Sequence, residues 1–180
     1  MAKNQIISIP DRDYSFVVLT QGQVAVVDNA DLSLIAEYKW WASFTARDRK
    51  YRAVSHVMRG KKKTQIYMHQ MIMGTPEGLE TDHIHHHTLD NRRSNLRVCT
   101  HGQNMMNQRA RAGSASGYKG VYPVPRYPGK FRAIIHANKE SYHLGTFNDS
   151  RDAAIAYNYA ATRLHGEFAC LNSLNPSINA

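Results

Sequence analysis

Cysteine is nearly absent from this chain. Its 180 residues hold two, Cys99 and Cys170, far apart in apolar contexts and with no Cys-x-x-Cys pair. That usage excludes a disulfide scaffold and a cysteine-built zinc module, and it fits a reducing compartment. Long apolar runs are missing as well: none approaches the ~18 residues a membrane helix needs, and the opening MAKNQIISIP lacks the apolar core of a signal peptide. A cytosolic protein is expected, with no membrane partner. No heptad run is present, so no protein partner is expected either, and a monomer follows. Acidic residues are the minority, 14 against 23 Lys and Arg, and the net charge of +9 favours a polyanionic partner. The length allows two small domains with separate cores.

What the chain does have is concentrated between Glu80 and Asn107, ETDHIHHHTLDNRRSNLRVCTHGQNMMN. Asp82 and His83 are adjacent, and Asn95 and Asn104 follow in a basic, turn-rich segment. A carboxylate and an amide oxygen are hard ligands suited to Mg2+ or Mn2+, and an imidazole beside them can take a proton from water near neutral pH. Leu79 to Ile84 and Asn95 to Thr100 read as the strands of a hairpin, and Thr100 with Gln103 reads as a capping box opening a helix. Asp82, His83 and Asn104 are therefore expected to converge on metal-assisted phosphodiester hydrolysis.

With those residues in that order the segment resembles the HNH nuclease motif, in the form found in phage and intron-encoded homing enzymes, over Met68 to Arg111. The resemblance implies a ββα finger clasping one divalent ion, with His83 as general base, Asp82 and Asn104 as metal ligands, and Asn95 as a buried amide that ties the loop and holds His83. It also implies a phage-encoded protein acting in bacterial cytoplasm. Asn104 stands where the motif's name has His, which favours a hard ion over zinc. Asn107, one turn further along the same face, is the alternative ligand. His85, His86 and His87 read as a polar loop that tolerates histidine, with a transition-metal site as the alternative.

A second block, Ser116 to Asn172, has three alternating runs, Tyr118 to Val124, Lys130 to Ala137 and Ser141 to Phe147, followed by an Ala-rich helix from Ser150 to about His165. Phe131, Ala133, Ile135, Tyr142 and Leu144 are expected to meet that helix. Its YKGVY, GKFRAII, HLGTF, DAAIAYNYAA and LHGEFACLN segments resemble the APETALA2/ethylene-response-factor type of DNA-binding domain. That resemblance implies a sheet face laid in the major groove of double-stranded DNA, and by alternation the face here presents Lys119, Tyr122, Val124, Arg132, Ile134, His136, Ser141 and His143. Arg132 is the residue expected to contact guanine or phosphate.

The fold class expected is α+β: a β-rich scaffold over 1–67, the finger over 68–111, a linker over 112–117, and a three-stranded antiparallel sheet packed on one helix over 118–174. In the scaffold, Gln5 to Ile9, Phe16 to Thr20 and Gln23 to Val27 read as strands and Ala30 to Tyr38 as a helix. Trp40 and Trp41 read as core. Tyr51 to Val57 and Thr64 to Met68 form a hairpin across RGKKK, which leads into a helix over Met68 to Met73. Bases crowd between Arg47 and Lys63, including Lys61, Lys62 and Lys63, and again at Arg92, Arg93 and Arg97. Flanking a phosphodiester-cleaving motif, they are expected to line the DNA path. The function expected is a metal-dependent homing-type DNA endonuclease leaving 5′-phosphate and 3′-hydroxyl ends. Two alternatives stand beside it: a non-catalytic DNA-binding regulator carrying a relic finger, and an RNA nuclease or toxin of the colicin type.

Overall fold

The computed structural model describes residues 3–46 and 48–174, so Arg47 of the basic run lies outside the described residues. The chain is a mixed α/β protein of several small antiparallel sheets and few helices, divided into two compact units, Met1–His101 and Gly102–Ala180.

In the first unit, alternating apolar residues build two three-stranded meanders. Strands β1 (Ile6–Ser8), β2 (Tyr14–Val18) and β3 (Val24–Asp28) pair in sequence order. Gln21 and Gly22 both take left-handed backbone angles between β2 and β3, which is the twist a two-residue hairpin turn needs. Strands β4 (Trp41–Thr45), β5 (Lys50–Arg59) and β6 (Lys62–Tyr67) form the second meander. The sequence reading missed β4 and overextended the helix before it. That segment is a 3-10 turn at Asn29–Asp31 and a single helical turn, α1 (Leu32–Ile35). The helix stops because Trp40 folds back into the core, 1 % exposed, where its indole Nε1 donates to the Ile35 carbonyl at 2.9 Å.

Helix α2 (Met68–Met73) leads into the hairpin of β7 (Glu80–His83) and β8 (Leu96–Cys99), and helix α3 (His101–Met106) follows. Val17, Val27, Ile35, Trp40 and Ala53 share one buried cluster with Met68 and Ile72 of α2 and Leu96 of β8. Position 67/68 therefore does not separate two cores. The scaffold and the hairpin bury their apolar faces against each other.

The second unit carries β9 (Val121–Pro123), β10 (Phe131–Ala137) and β11 (Glu140–Phe147) as one antiparallel sheet with β10 central, and α4 (Ser150–Leu164) packs on it. Asp149 caps α4 by accepting from the Arg151 amide at 2.7 Å. Ala153, Ala154, Tyr157 and Ala161 of α4 bury themselves against Val121, Ala133 and Ile135. Tyr142 is a correction: it lies opposite Ile135 in register, but on the outer strand it is 37 % exposed, with its hydroxyl on Glu140 rather than in the core.

Candidate active site

The register of β7 on β8 sets Asp82 opposite Arg97 and His83 opposite Leu96. Arg97 donates to Asp82 Oδ2 from Nε at 3.0 Å and from Nη2 at 2.8 Å. The Asp82 side chain is 8 % exposed and the Arg97 side chain 12 %. Arg97, expected on DNA, has its guanidinium engaged with the carboxylate in this structure. Such a charge-assisted pair holds the carboxylate in one orientation.

His83 is buried at the end of β7, with Nε2 3.2 Å from Asn91 Oδ1. Burial pushes its imidazole down to about 4, with the Arg52 charge adding to the effect against the hydrogen bond from Asn91. It is therefore neutral at neutral pH, the state in which an imidazole accepts a proton. The His69 ring of α2 packs edge-on against it with centroids 4.8 Å apart, and burial holds His69 well below its ordinary value too.

The loop between the strands is tied from both sides. Asn95, 2 % exposed, donates through Nδ2 to the carbonyls of Asp90 at 2.8 Å and His87 at 3.2 Å, while its Oδ1 accepts from the His85 amide at 2.9 Å. Asn95 thus spans the loop that closes on His83. The outer side of the loop is stitched to the scaffold: the Val26 amide donates to Leu89 O at 2.9 Å, the Asn91 amide to Val26 O at 2.8 Å, and Thr88 Oγ1 to Tyr51 O at 2.6 Å. Asn91 and His69 are site residues that spacing did not flag. The signal for His69 is a lone imidazole on a methionine-rich helix, MHQMIM.

Asn104 lies on α3, which begins one residue after Thr100, and Asn107 is buried just beyond its end. The first residue of α3, His101, pairs through Nδ1 with Glu80 Oε1 at 2.8 Å. His85 and His87 are exposed and His86 half-buried; among the described residues no group of three or more His, Cys, Asp or Glu side chains is placed to hold a metal.

Of the other expected DNA contacts, Lys61, Lys62 and Lys63 stand exposed around the turn between β5 and β6. Arg92 clasps Asp90 from Nε at 2.8 Å and Nη2 at 2.6 Å and lies over the Tyr14 ring. Arg93 clasps the buried Asp31 and donates to Ile72 O at 2.8 Å. Both hold the fold together while remaining 36 % and 53 % exposed. In the second unit, Tyr122, Arg132, His136 and His143 point outward from one sheet face, with Arg132 over the Tyr122 ring at 6.0 Å. Lys119 precedes β9, and its ammonium donates to the Met106 carbonyl at 2.5 Å, at the C-terminal end of α3.

Residues 62–106 match the HNH endonuclease family. An uncharacterized HNH endonuclease of Acanthamoeba polyphaga mimivirus is 27% identical over 157 residues, covering 86% of this chain and 78% of that protein. An AP2/ERF and B3 domain-containing transcription repressor of Arabidopsis thaliana is 35% identical over 75 residues, 42% of this chain and 20% of that protein. No solved structure matches the chain. Among the described residues no helix is long and apolar enough to cross a membrane. A buried hairpin that sets a neutral histidine beside an ion-paired aspartate, within a segment matching this family, makes residues 62–106 an HNH endonuclease domain and the chain an endonuclease that hydrolyses phosphodiester bonds.

Proposed function

We propose that the protein is a homing-type endonuclease for double-stranded DNA, using one Mg2+ or Mn2+ ion and leaving 5′-phosphate and 3′-hydroxyl ends. The observation that carries this reading is His83, kept neutral by burial and adjacent to the Asp82 carboxylate. In it, His83 takes the proton of the attacking water, and Asn95 holds the loop closed over it.

The ligand types in this reading suit a hard ion. In this reading the Asp82 carboxylate and the Asn104 amide oxygen would hold it, ligand types suited by their chemistry to an ion that keeps waters and shares phosphate oxygens. When bound, such an ion supplies charge stabilisation at the scissile phosphate. Arg97 keeps Asp82 oriented for it.

Lys61, Lys62 and Lys63 add affinity without reading sequence. Site choice is assigned to the second unit as an APETALA2-like reader, whose outward face carries Arg132, Tyr122, His136 and His143. The Arabidopsis relative supports this, as do three strands and one helix in that order.

Supercoiled plasmid carrying the target, incubated with and without Mg2+, tests the proposal. Cutting only with the ion is expected, and His83→Ala should lower the rate by about 10²–10⁴ with DNA binding unchanged. Equal loss of binding and cutting would remove His83 as the base. Open circles appearing before linear product are the expected mark of one finger acting on one strand.

A further inference from the structure

Beside the site hairpin the first unit holds a groove of about 440 Å³ that the cutting step leaves unused. Val24 and Val26 of β3, Lys50 and Tyr51 at the start of β5, and His86 and His87 of the hairpin loop line it. Its walls are pinned to one another: the Val26 amide donates to Leu89 O at 2.9 Å, and Thr88 Oγ1 to Tyr51 O at 2.6 Å. A groove held in this way needs little reordering to receive a partner.

Two kinds of surface meet there. One is apolar: Val24 is 40% exposed, and the Tyr51 ring lies 5.1 Å from the Phe44 ring, itself 49% exposed. The other is cationic. Asp90, on the wall, and Asp48, close to Lys50 in the chain, are each already clasped by an arginine, Asp90 by Arg92 at 2.8 and 2.6 Å and Asp48 by Arg52. Lys50 adds its charge to a neighbourhood whose carboxylates are matched. His83, lowered chiefly by burial, also feels that charge, so Lys50 stands near the reacting end of the hairpin.

A cation set beside an apolar wall matches the repeating unit of a nucleic-acid backbone, a phosphate anion joined to a deoxyribose with an apolar carbon face. We propose that this groove is a backbone subsite for the DNA substrate, in which Lys50 meets a phosphate flanking the scissile one, His87 adds a ring N–H donor, and the adjoining deoxyribose lies against Val24 and Tyr51. The subsite rests on the reading of the 80–99 hairpin as the cutting site for DNA. The same loop forms a wall of the groove and closes on His83, so a phosphate held on Lys50 fixes which neighbouring phosphate reaches the imidazole. The groove reads no base; it sets the register of cutting along the strand.

The test uses the full-length chain and two probes. On a duplex of random sequence, Lys50→Met keeps the apolar stem and drops the charge. It should flatten the log–log salt dependence of binding by about 0.9, the share of one phosphate contact, and Lys50→Arg should restore it. Val24→Glu, which sets a carboxylate in the groove from an exposed position, should weaken binding more than Val24→Thr. The second probe is a duplex spanning a position that the protein cuts in plasmid DNA, made with a neutral methylphosphonate at one phosphate at a time. One substitution beside the scissile phosphate should raise the wild-type Kd about fivefold and that of Lys50→Met no further. An unchanged salt slope in Lys50→Met, equal binding by the two Val24 variants, or the same methylphosphonate profile in wild type and Lys50→Met overturns the subsite. The reading beneath it fails differently. A wild-type chain that does not bind duplex DNA removes the substrate and the subsite with it, and His83→Ala cutting at the wild-type rate removes the hairpin as the cutting site. If wild type binds and cuts duplex DNA and only the Lys50 coupling is missing, the subsite alone falls.

Discussion

Gly120 and Gly117 allow a packing effect to be measured apart from a backbone effect. Both have φ of +72°, a conformation costing an alanine about 1–2 kcal/mol. Their surroundings differ. A Cβ on Gly117 would meet nothing within 4 Å, whereas one on Gly120 would lie 2.2 Å from two ring carbons of Tyr157 and 2.7 Å from the Ile134 carbonyl oxygen. Ordinary carbon contacts sit at about 3.5–4.0 Å. Tyr157 is 2 % exposed and cannot swing out, and the Ile134 carbonyl belongs to β10. Overpacking of this kind adds about 1–3 kcal/mol, so Gly120→Ala should cost about 2–5 kcal/mol and Gly117→Ala only the first part. Both tryptophans lie in Met1–His101, so tryptophan emission does not report on the second unit directly. Hydrogen exchange of the β10 amides in urea reads that unit directly; the Ile134 amide, bonded to Gly120 O at 2.8 Å, is the natural reporter. Equal losses in the two variants would refute the close approach of the YKGVY turn to α4.

Burial holds His69, His83 and His165 below their ordinary pKa, so folding disfavours the charged form of all three. Below about pH 6.5 these three take up protons in the unfolded chain more readily than in the folded one, and stability must fall as pH drops through that value. Urea midpoints flat between about pH 7.5 and about pH 5 would contradict this. Replacing Lys61, Lys62 and Lys63 together by alanine should flatten the log–log salt dependence of DNA binding by up to about 2.7, from about 0.9 per phosphate contact, and leave unfolding within about 0.5 kcal/mol. An unchanged slope would take them off the DNA path. Arg132→Ala should relax site preference while sparing the cutting rate on random DNA, which sequencing of cleavage ends in a mixed substrate would reveal. Retained preference would mean that Arg132 does not read the site.

The sequence made β10 legible to within a residue, because Phe131 to Ala137 alternates against a buried helix. The β7 and β8 hairpin was equally readable, since its polar residues sit at motif spacing on strand-like runs. It did not reveal β4. Two adjacent tryptophans look like a buried helix end, yet Trp40 turns inward while Trp41 starts the strand, with its ring near His56 at 4.7 Å. Arginine roles were hidden for a different reason. A guanidinium serves DNA or a carboxylate equally well by composition, and only the cross-strand register that sets Asp82 opposite Arg97 decides between them. Asn91 was unreadable because its neighbours, Met68 and Val26, are remote in sequence and meet it only through the shared core.

The stitching of the finger's loop onto β3, through Val26, Leu89 and Asn91, bears on how such a nuclease can move between proteins. Residues 62–106 carry the recognisable signature, but three of the hydrogen bonds that hold their loop end on residues before position 62, on Val26 and Tyr51. A gene rearrangement that transplanted the signature alone would leave Leu89 O and the Asn91 amide without their strand and Met68 without its apolar neighbours. The transferable piece is thus longer than its signature, reaching back to β3, and a change in the first meander should weaken cleavage without altering any residue of the motif.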